Sequence, residues 1–193
     1  MIAHCKIEDG VAELNGNRID YTSHSGANWK KNLYNHLKLD YPKFFKMDDL
    51  SKLSLLCMEL LKTTTHFDES ELSMIFANRS ASTFTDNKFR SSLDKGMPSP
   101  SLFVYTLPNV SVGELTIKHS FHGSSSFYIT DTLSDLPIQE LLHIEFNKGY
   151  TVVIIGWVEK SKEEDCGLFF IFDNHSTKED LALIRKRIWL NVY

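Results

Sequence analysis

The chain has 193 residues, 42% hydrophobic and 24% charged, with a formal net charge of −4. That suffices for one globular domain spanning 1–193 with a buried core, and it is not the composition of a disordered chain. The acidic balance and the lack of a basic, aromatic-interleaved patch argue against a nucleic-acid partner, and the longest apolar runs, Thr151–Val158 and Leu168–Phe172, are far too short to span a bilayer.

Three scattered cysteines, Cys5, Cys57 and Cys166, form no disulfide framework and suit a reducing cytoplasm. Met1–Lys6 has no basic-then-apolar leader pattern, so export is not expected. The first elements read as short strands over 2–8, 11–14 and 18–21, separated by Asp9-Gly10 and Asn15-Gly16, dipeptides that tolerate the positive φ of tight hairpins. A helix around Trp29–Leu37 follows. The helix over 48–63 is better marked: Asp48 or Asp49 caps it, and Leu50, Leu53, Cys57, Leu60 and Leu61 form a core-facing stripe.

Leu72–Ala77 reads as a buried strand running into the polar turn Asn78–Ser82. Asp86 is placed to cap a short helix over 87–95, ended by Gly96. Another helix begins near Asn109, with Val110, Val112, Leu115 and Ile117 as packing residues. Ser125–Thr130 reads as a strand, and 136–148 as a helix with Pro137 in its first turn and Gly149 past its end. The runs 151–158 and 167–173 have the pattern of strands covered on both faces. Ser176-Thr-Lys-Glu179 is a capping box, and Leu181, Ile184 and Ile188 give the helix after it an apolar face. This alternation is an α/β order, with no linker, low-complexity tract or internal repeat.

One segment carries a more specific signal. Pro98-Ser-Pro-Ser-Leu-Phe-Val-Tyr-Thr-Leu-Pro-Asn109, continuing through Gly113-Glu114 to Gly123, resembles the stretch of a β-ketoacyl-acyl-carrier-protein synthase that leads up to its nucleophilic cysteine. The likeness extends over roughly 40–175. It implies one half of the thiolase-like fold: an α/β domain with a mixed five-stranded sheet and helices on both faces, ending where that family's second half would begin. Counting on from Gly123, the nucleophile's position falls on Thr132 within Ile129-Thr-Asp-Thr-Leu-Ser134.

A condensing enzyme of this kind needs a cysteine thiolate at a helix N-terminus, where the dipole lowers its pKa. It also needs two histidines from the second half to complete the oxyanion hole. Here a helix follows Thr132, but the sulfur is missing. A threonine hydroxyl would need an adjacent base, for which Asp131 is the near candidate. The simpler reading of Asp131-Thr132 is an N-cap cluster with Ser134 and Asp135, and it is preferred.

The real cysteines do not replace the nucleophile. Cys57 lies on an apolar helix stripe, Cys166 opens a buried strand and Cys5 sits in the first one. His119 and His122, three apart, and His4 beside Cys5 lack ligand-spaced partners; His175 is read as a loop residue. No metal or cofactor is therefore expected. The Asn78–Ser82 turn invites comparison with a phosphate cradle but has no glycine for close backbone approach.

The resemblance implies a role for Phe103, Tyr105 and Asn109 at an acyl- or partner-facing surface, against the simpler reading that the aromatics fill core. It also implies that the strand near 125–130 pairs across a twofold axis. If its edge is exposed, a homo- or heterodimer is the expected way to cover it. The function expected is a non-catalytic accessory protein, binding a ketosynthase or an acyl carrier protein in fatty acid, polyketide or polyene synthesis. The alternatives are an acyltransferase or thioesterase using Thr132, or an acyl-chain binding module.

Overall fold

The computed structural model describes residues 1–21 and 28–176. The capping box and helix read from 176–193 lie, apart from Ser176, outside the described residues. The first strands, β1 (Ala3–Glu8), β2 (Val11–Leu14) and β3 (Asn17–Arg18), form an antiparallel meander. Asp9, Gly10, Asn15 and Gly16 take φ of 46°, 88°, 52° and 83°, so both dipeptides turn as their chemistry requires.

Helix α1 (Trp29–His36) buries Trp29, Leu33 and Tyr34, and a 3-10 segment, Pro42–Lys46, buries Phe44. In α2 (Asp49–Lys62) the cap is Asp48, whose carboxylate accepts the Ser51 N–H at 2.9 Å. Next come β4 (Leu72–Asn78), α3 (Thr83–Asp94), α4 (Pro100–Val104) and α5 (Val110–His119). The chain then forms β5 (Ser125–Ile129), α6 (Ile138–Asn147), β6 (Val152–Lys160) and β7 (Asp165–Asp173).

All seven strands join one mixed sheet in the order β3-β2-β1-β7-β6-β4-β5. β4 runs parallel to both β5 and β6, and the remaining pairings are antiparallel. The class expected from the resemblance holds, but the described residues form seven strands rather than five. The Asp9-Gly10 and Asn15-Gly16 turns fold β2 and β3 back beyond β1 and lengthen the sheet.

Alternating residues of the strands build two cores. On one face Cys5, Ile7, Met74, Phe76, Ile154 and Phe169 pack with α1, α2 and α5. On the other, Ile75, Val153, Ile155, Trp157, Phe170 and Phe172 pack against Leu133, Leu136 and α6. Being covered on both sides explains why β6 and β7 are unbroken apolar runs.

One helix boundary, one additional helix and one packing residue differ from expectation. The helix near 87–95 starts earlier, at Thr83, so Asp86 falls inside its first turn and Ser82 is the cap residue. The segment between Met97 and Asn109 contributes α4, which sequence periodicity alone does not announce in five residues. On α5, Val112 and Leu115 are buried but Ile117 is 64% exposed. Two residues along an α-helix turn a side chain about 200°, away from the face that Leu115 presents to the core.

Candidate functional site

Within the Pro98–Gly123 segment, the start of α5 lies against β5, the strand that follows it. Ser99 accepts the Leu102 N–H at 3.4 Å with Pro100 in the first turn, and this sets α4. The two aromatics then part company. Phe103 is 61% exposed and rests on Phe89, ring centres 5.4 Å apart. Tyr105 is buried, and its hydroxyl donates to Glu114 Oε1 at 3.0 Å. Burial, with the Glu114 carboxylate beside it, holds the Tyr105 phenol above its ordinary range. Glu114 Oε2 in turn meets Lys43 Nζ at 2.7 Å. Tyr105 is thus a structural tie between α4 and α5, and only Phe103 of the expected exposed pair reaches solvent.

Asn109 occupies the N-cap position of α5 without a side-chain cap bond. It lines a groove of about 470 Å³ between α5 and β5, together with Val112, Gly113, Phe127 and Ile129. The two motif glycines serve different ends. A Cβ on Gly113 would meet nothing within 4 Å, so this residue simply leaves the groove open. A Cβ on Gly123 would run into the Leu72 carbonyl, so only glycine allows the chain to pass β4 there.

Among the described residues β5 is the last strand of the sheet, paired only with β4. Of the 11 large hydrophobic residues exposed among the described residues, eight lie between Leu93 and Ile129 in the sequence, including Met97, Phe103, Leu107, Tyr128 and Ile129. On the edge strand itself Tyr128 and Ile129 stand exposed, and an unpaired edge carrying exposed apolar side chains marks an association surface.

Beyond β5 the chain reaches Thr132, the position matched to the nucleophile. Its backbone is relaxed and extended, at φ −142° and ψ 158°. A capping box closes on the 3-10 turn Leu133–Asp135: Asp135 Oδ2 accepts both the Thr132 N–H and the Thr132 hydroxyl at 2.9 Å, while Ser134 Oγ lies 2.6 Å from the same hydroxyl. Two expectations need correction. The helix expected over 136–148 begins at Ile138 with Pro137 at its N-cap, and a separate three-residue turn, not that helix, follows Thr132, so the helix dipole does not act there. And the carboxylate bonded to the Thr132 hydroxyl is that of Asp135, not Asp131, which is exposed.

Cys5 and Cys57 meet elsewhere, in the core under α2, while Cys166 is buried on the opposite face of β7. Cys5 Sγ donates to the Cys57 carbonyl at 3.4 Å, and a Cβ on Gly167 would come within 2.5 Å of Cys57 Sγ. Burial, then the neighbouring Cys5 thiol, pushes the Cys57 thiol well above its ordinary value. Cys166 is pushed up to about 12, by burial first and by Glu8 and Glu164 after it. Thiols in such surroundings stay protonated and inert.

The remaining sequence candidates find structural partners. The Arg79 and Ser80 N–H groups of the Asn78–Ser82 turn converge on the fully buried Glu159 Oε2, at 2.9 and 3.2 Å, so the chain's own carboxylate fills the imagined cradle. His119 Nε2 lies 3.1 Å from Glu59 Oε1, while His122 falls beyond the left-handed Ser120 that ends α5. His4 stacks on Phe170 and His175 is exposed in a turn. No helix among the described residues is long and apolar enough to cross a membrane.

No protein-family model matches this sequence. No curated protein sequence matches it either. Solved structures do. A ketosynthase, ApeO, in complex with its chain length factor, ApeC, from Xenorhabdus doucetiae superposes with a TM-score of 0.61 at 15% identity, over 91% of this chain and 80% of that one. The ishigamide ketosynthase/chain length factor gives 0.61 at 13% identity, over 92% and 63%. AntDE:AntF, a type II polyketide synthase acyl-carrier protein in complex with its ketosynthase, gives 0.57 at 12% identity, over 96% and 64%. The chain thus spans less than two thirds of the second and third of these proteins. Seven strands in mixed order, helices on both faces and agreement along nearly the whole chain lead to one conclusion: this protein has the thiolase-like fold of the ketosynthase and chain length factor proteins.

Proposed function

We propose that the protein is a non-catalytic, ketosynthase-like accessory subunit that associates through its β5 edge with a ketosynthase or with a second copy of itself. The observation that carries this reading is the pairing of an open apolar edge with a disarmed site. The exposed strand Ser125–Ile129 leads directly to Thr132, whose hydroxyl is spent on a capping box. Activating a threonine requires a base within reach that can take its proton. Here the hydroxyl already donates to the carboxylate that also receives the Thr132 N–H, so that oxygen serves the turn. Similarity to structures in which a ketosynthase is held by a chain length factor supports the same reading.

The test is sedimentation of the chain alone and mixed with a ketosynthase or a carrier protein. A dimer, homo- or heteromeric, is the expected outcome; a strict monomer in every mixture overturns the proposal. Incubation with acyl-carrier thioesters followed by intact-mass measurement is expected to leave the mass unchanged. An acyl adduct that disappears on Thr132→Ala would replace this reading with an acyltransferase or thioesterase.

A further inference from the structure

A second concave site lies away from β5. Where β4 and β6 end side by side, the start of α3 and the β6–β7 turn enclose a cleft of about 540 Å³, lined among others by Phe84, Asn87, Lys88, Lys160, Lys162 and Glu163. That volume is of the size that takes a small organic molecule, and the carboxyl ends of neighbouring parallel strands are where open α/β sheets place ligands.

The charge of the lining departs from that of the molecule. Three lysines face one glutamate in this cleft, on a chain whose net charge is −4. Two of the ammonium groups are held in place. Lys88 Nζ lies 4.3 Å and Lys160 Nζ 4.9 Å from the centre of the Phe84 ring. From below, Asp49 Oδ2 accepts Lys88 at 2.8 Å and Asp165 Oδ2 lies 3.2 Å from Lys160. Lys30 links those two carboxylates. Lys30, Lys88, Lys160 and Lys162 therefore outnumber Asp49, Asp165 and Glu163 by one charge. An ammonium carries three donor hydrogens, so one bond to a carboxylate leaves others to offer. Side chains fixed in advance lose little freedom when a ligand arrives.

We infer that this cleft binds a small organic phosphate, its oxygens on the Lys88, Lys160 and Lys162 ammonium groups and its carbon frame against Phe84. A phosphate monoester has up to two negative charges and three acceptor oxygens to share among three lysines. A simple carboxylate has one charge and fewer acceptors. This cleft is independent of the accessory-subunit reading, because its residues lie on α3, the end of β6 and the β6–β7 turn rather than on the β5 edge.

The test follows the amide spectrum of the whole chain during titration with phenyl phosphate and, separately, with inorganic phosphate. Two variants avoid the Asp49–Lys30–Asp165 network: Lys162→Glu on the exposed turn and Phe84→Leu. Saturable shifts confined to 80–91 and 160–163 are expected, with phenyl phosphate preferred over inorganic phosphate by roughly fivefold through the ring contact. Lys162→Glu is expected to weaken both probes about tenfold by reversing one charge, and Phe84→Leu to erase the preference while inorganic phosphate still binds. Shifts that never saturate, that spread to lysines elsewhere such as Lys31 and Lys46, or that persist unchanged in Lys162→Glu overturn the inference. None of these outcomes depends on whether a ketosynthase binds.

Discussion

Strands β7 and β5 belong to the same sheet, yet eight of the nine residues of β7 are buried and none of the five of β5 is. β7 lies between β1 and β6 with a core on each face, so every apolar side chain it carries is removed from water within one chain. β5 has a neighbour on one side only, and Tyr128 and Ile129 are 38% and 54% exposed. Apolar residues at the sheet's centre stabilise this fold. The exposed Tyr128 and Ile129 at its β5 edge contribute little to it and gain their value when something else covers them.

Substitutions on the two sides sharpen that contrast. The largest effect is expected at the centre. Phe169 is fully buried and its ring lies 4.7 Å from that of Phe76, so Phe169→Ala should lower unfolding free energy by about 3–5 kcal/mol in urea denaturation. Gly123→Ala comes next, at about 1–3 kcal/mol, because its methyl must displace the Leu72 backbone. Gly113→Ala, with open space ahead of it, should instead stabilise α5 slightly, so the two glycines give opposite signs in one assay.

Between centre and edge, Glu59 joins α2 to α5 through Lys118 at 2.5 Å and His119 at 3.1 Å. Burial alone would raise its carboxyl, but the hydrogen bonds from His119 and Lys118 outweigh that and hold it below the usual range. A folded-state value below the unfolded one stabilises fully above about pH 4.3 and fades as pH falls through the folded value. Glu59→Gln should therefore cost about 2 kcal/mol at neutral pH, and the difference from the native chain should shrink on acidification, as measured by thermal unfolding across pH.

Smaller effects are expected at the edge. Thr132→Ala should cost about 1 kcal/mol as the loss of a cap, with no change in any acylation measured by intact mass. Ile129→Lys should alter the stability of the isolated chain by less than about 0.5 kcal/mol and yet abolish dimer formation in sedimentation. An edge substitution that unfolds the chain, or one that leaves the dimer intact, would break the comparison.

Much of the fold could be read from short stretches. Asp9-Gly10 and Asn15-Gly16 announced hairpins, Asp48 a cap, and the β6 and β7 runs strands with two covered faces, since each depends on chemistry within a few residues. Read residue by residue the chain already contains seven strands; the count of five came from the resemblance. The site was less legible. Nothing local separates Phe103, which faces water, from Tyr105, which faces Glu114. Nothing local shows that Glu159 reaches the turn at Arg79, or that Lys88 and Lys160, far apart in the chain, both come close to the Phe84 ring. Even the Thr132 turn was half visible: its capping residues are adjacent, but the delay of α6 to Ile138 depends on Leu133 and Leu136 docking on the sheet.

The order of side chains alone determined where the strands and most of the helices form, which residues turn the chain, and that no cysteine stands at position 132, because caps, turns and periodicity act over one or two turns of backbone. Tertiary structure alone decided that β1 inserts beside β7, that β5 is left at the edge, that three cysteines are sealed in the core, and that lysines from α3 and β6 share one cleft. Those outcomes depend on contacts between residues distant in sequence, which exist only once apolar surface from the whole chain has been buried together.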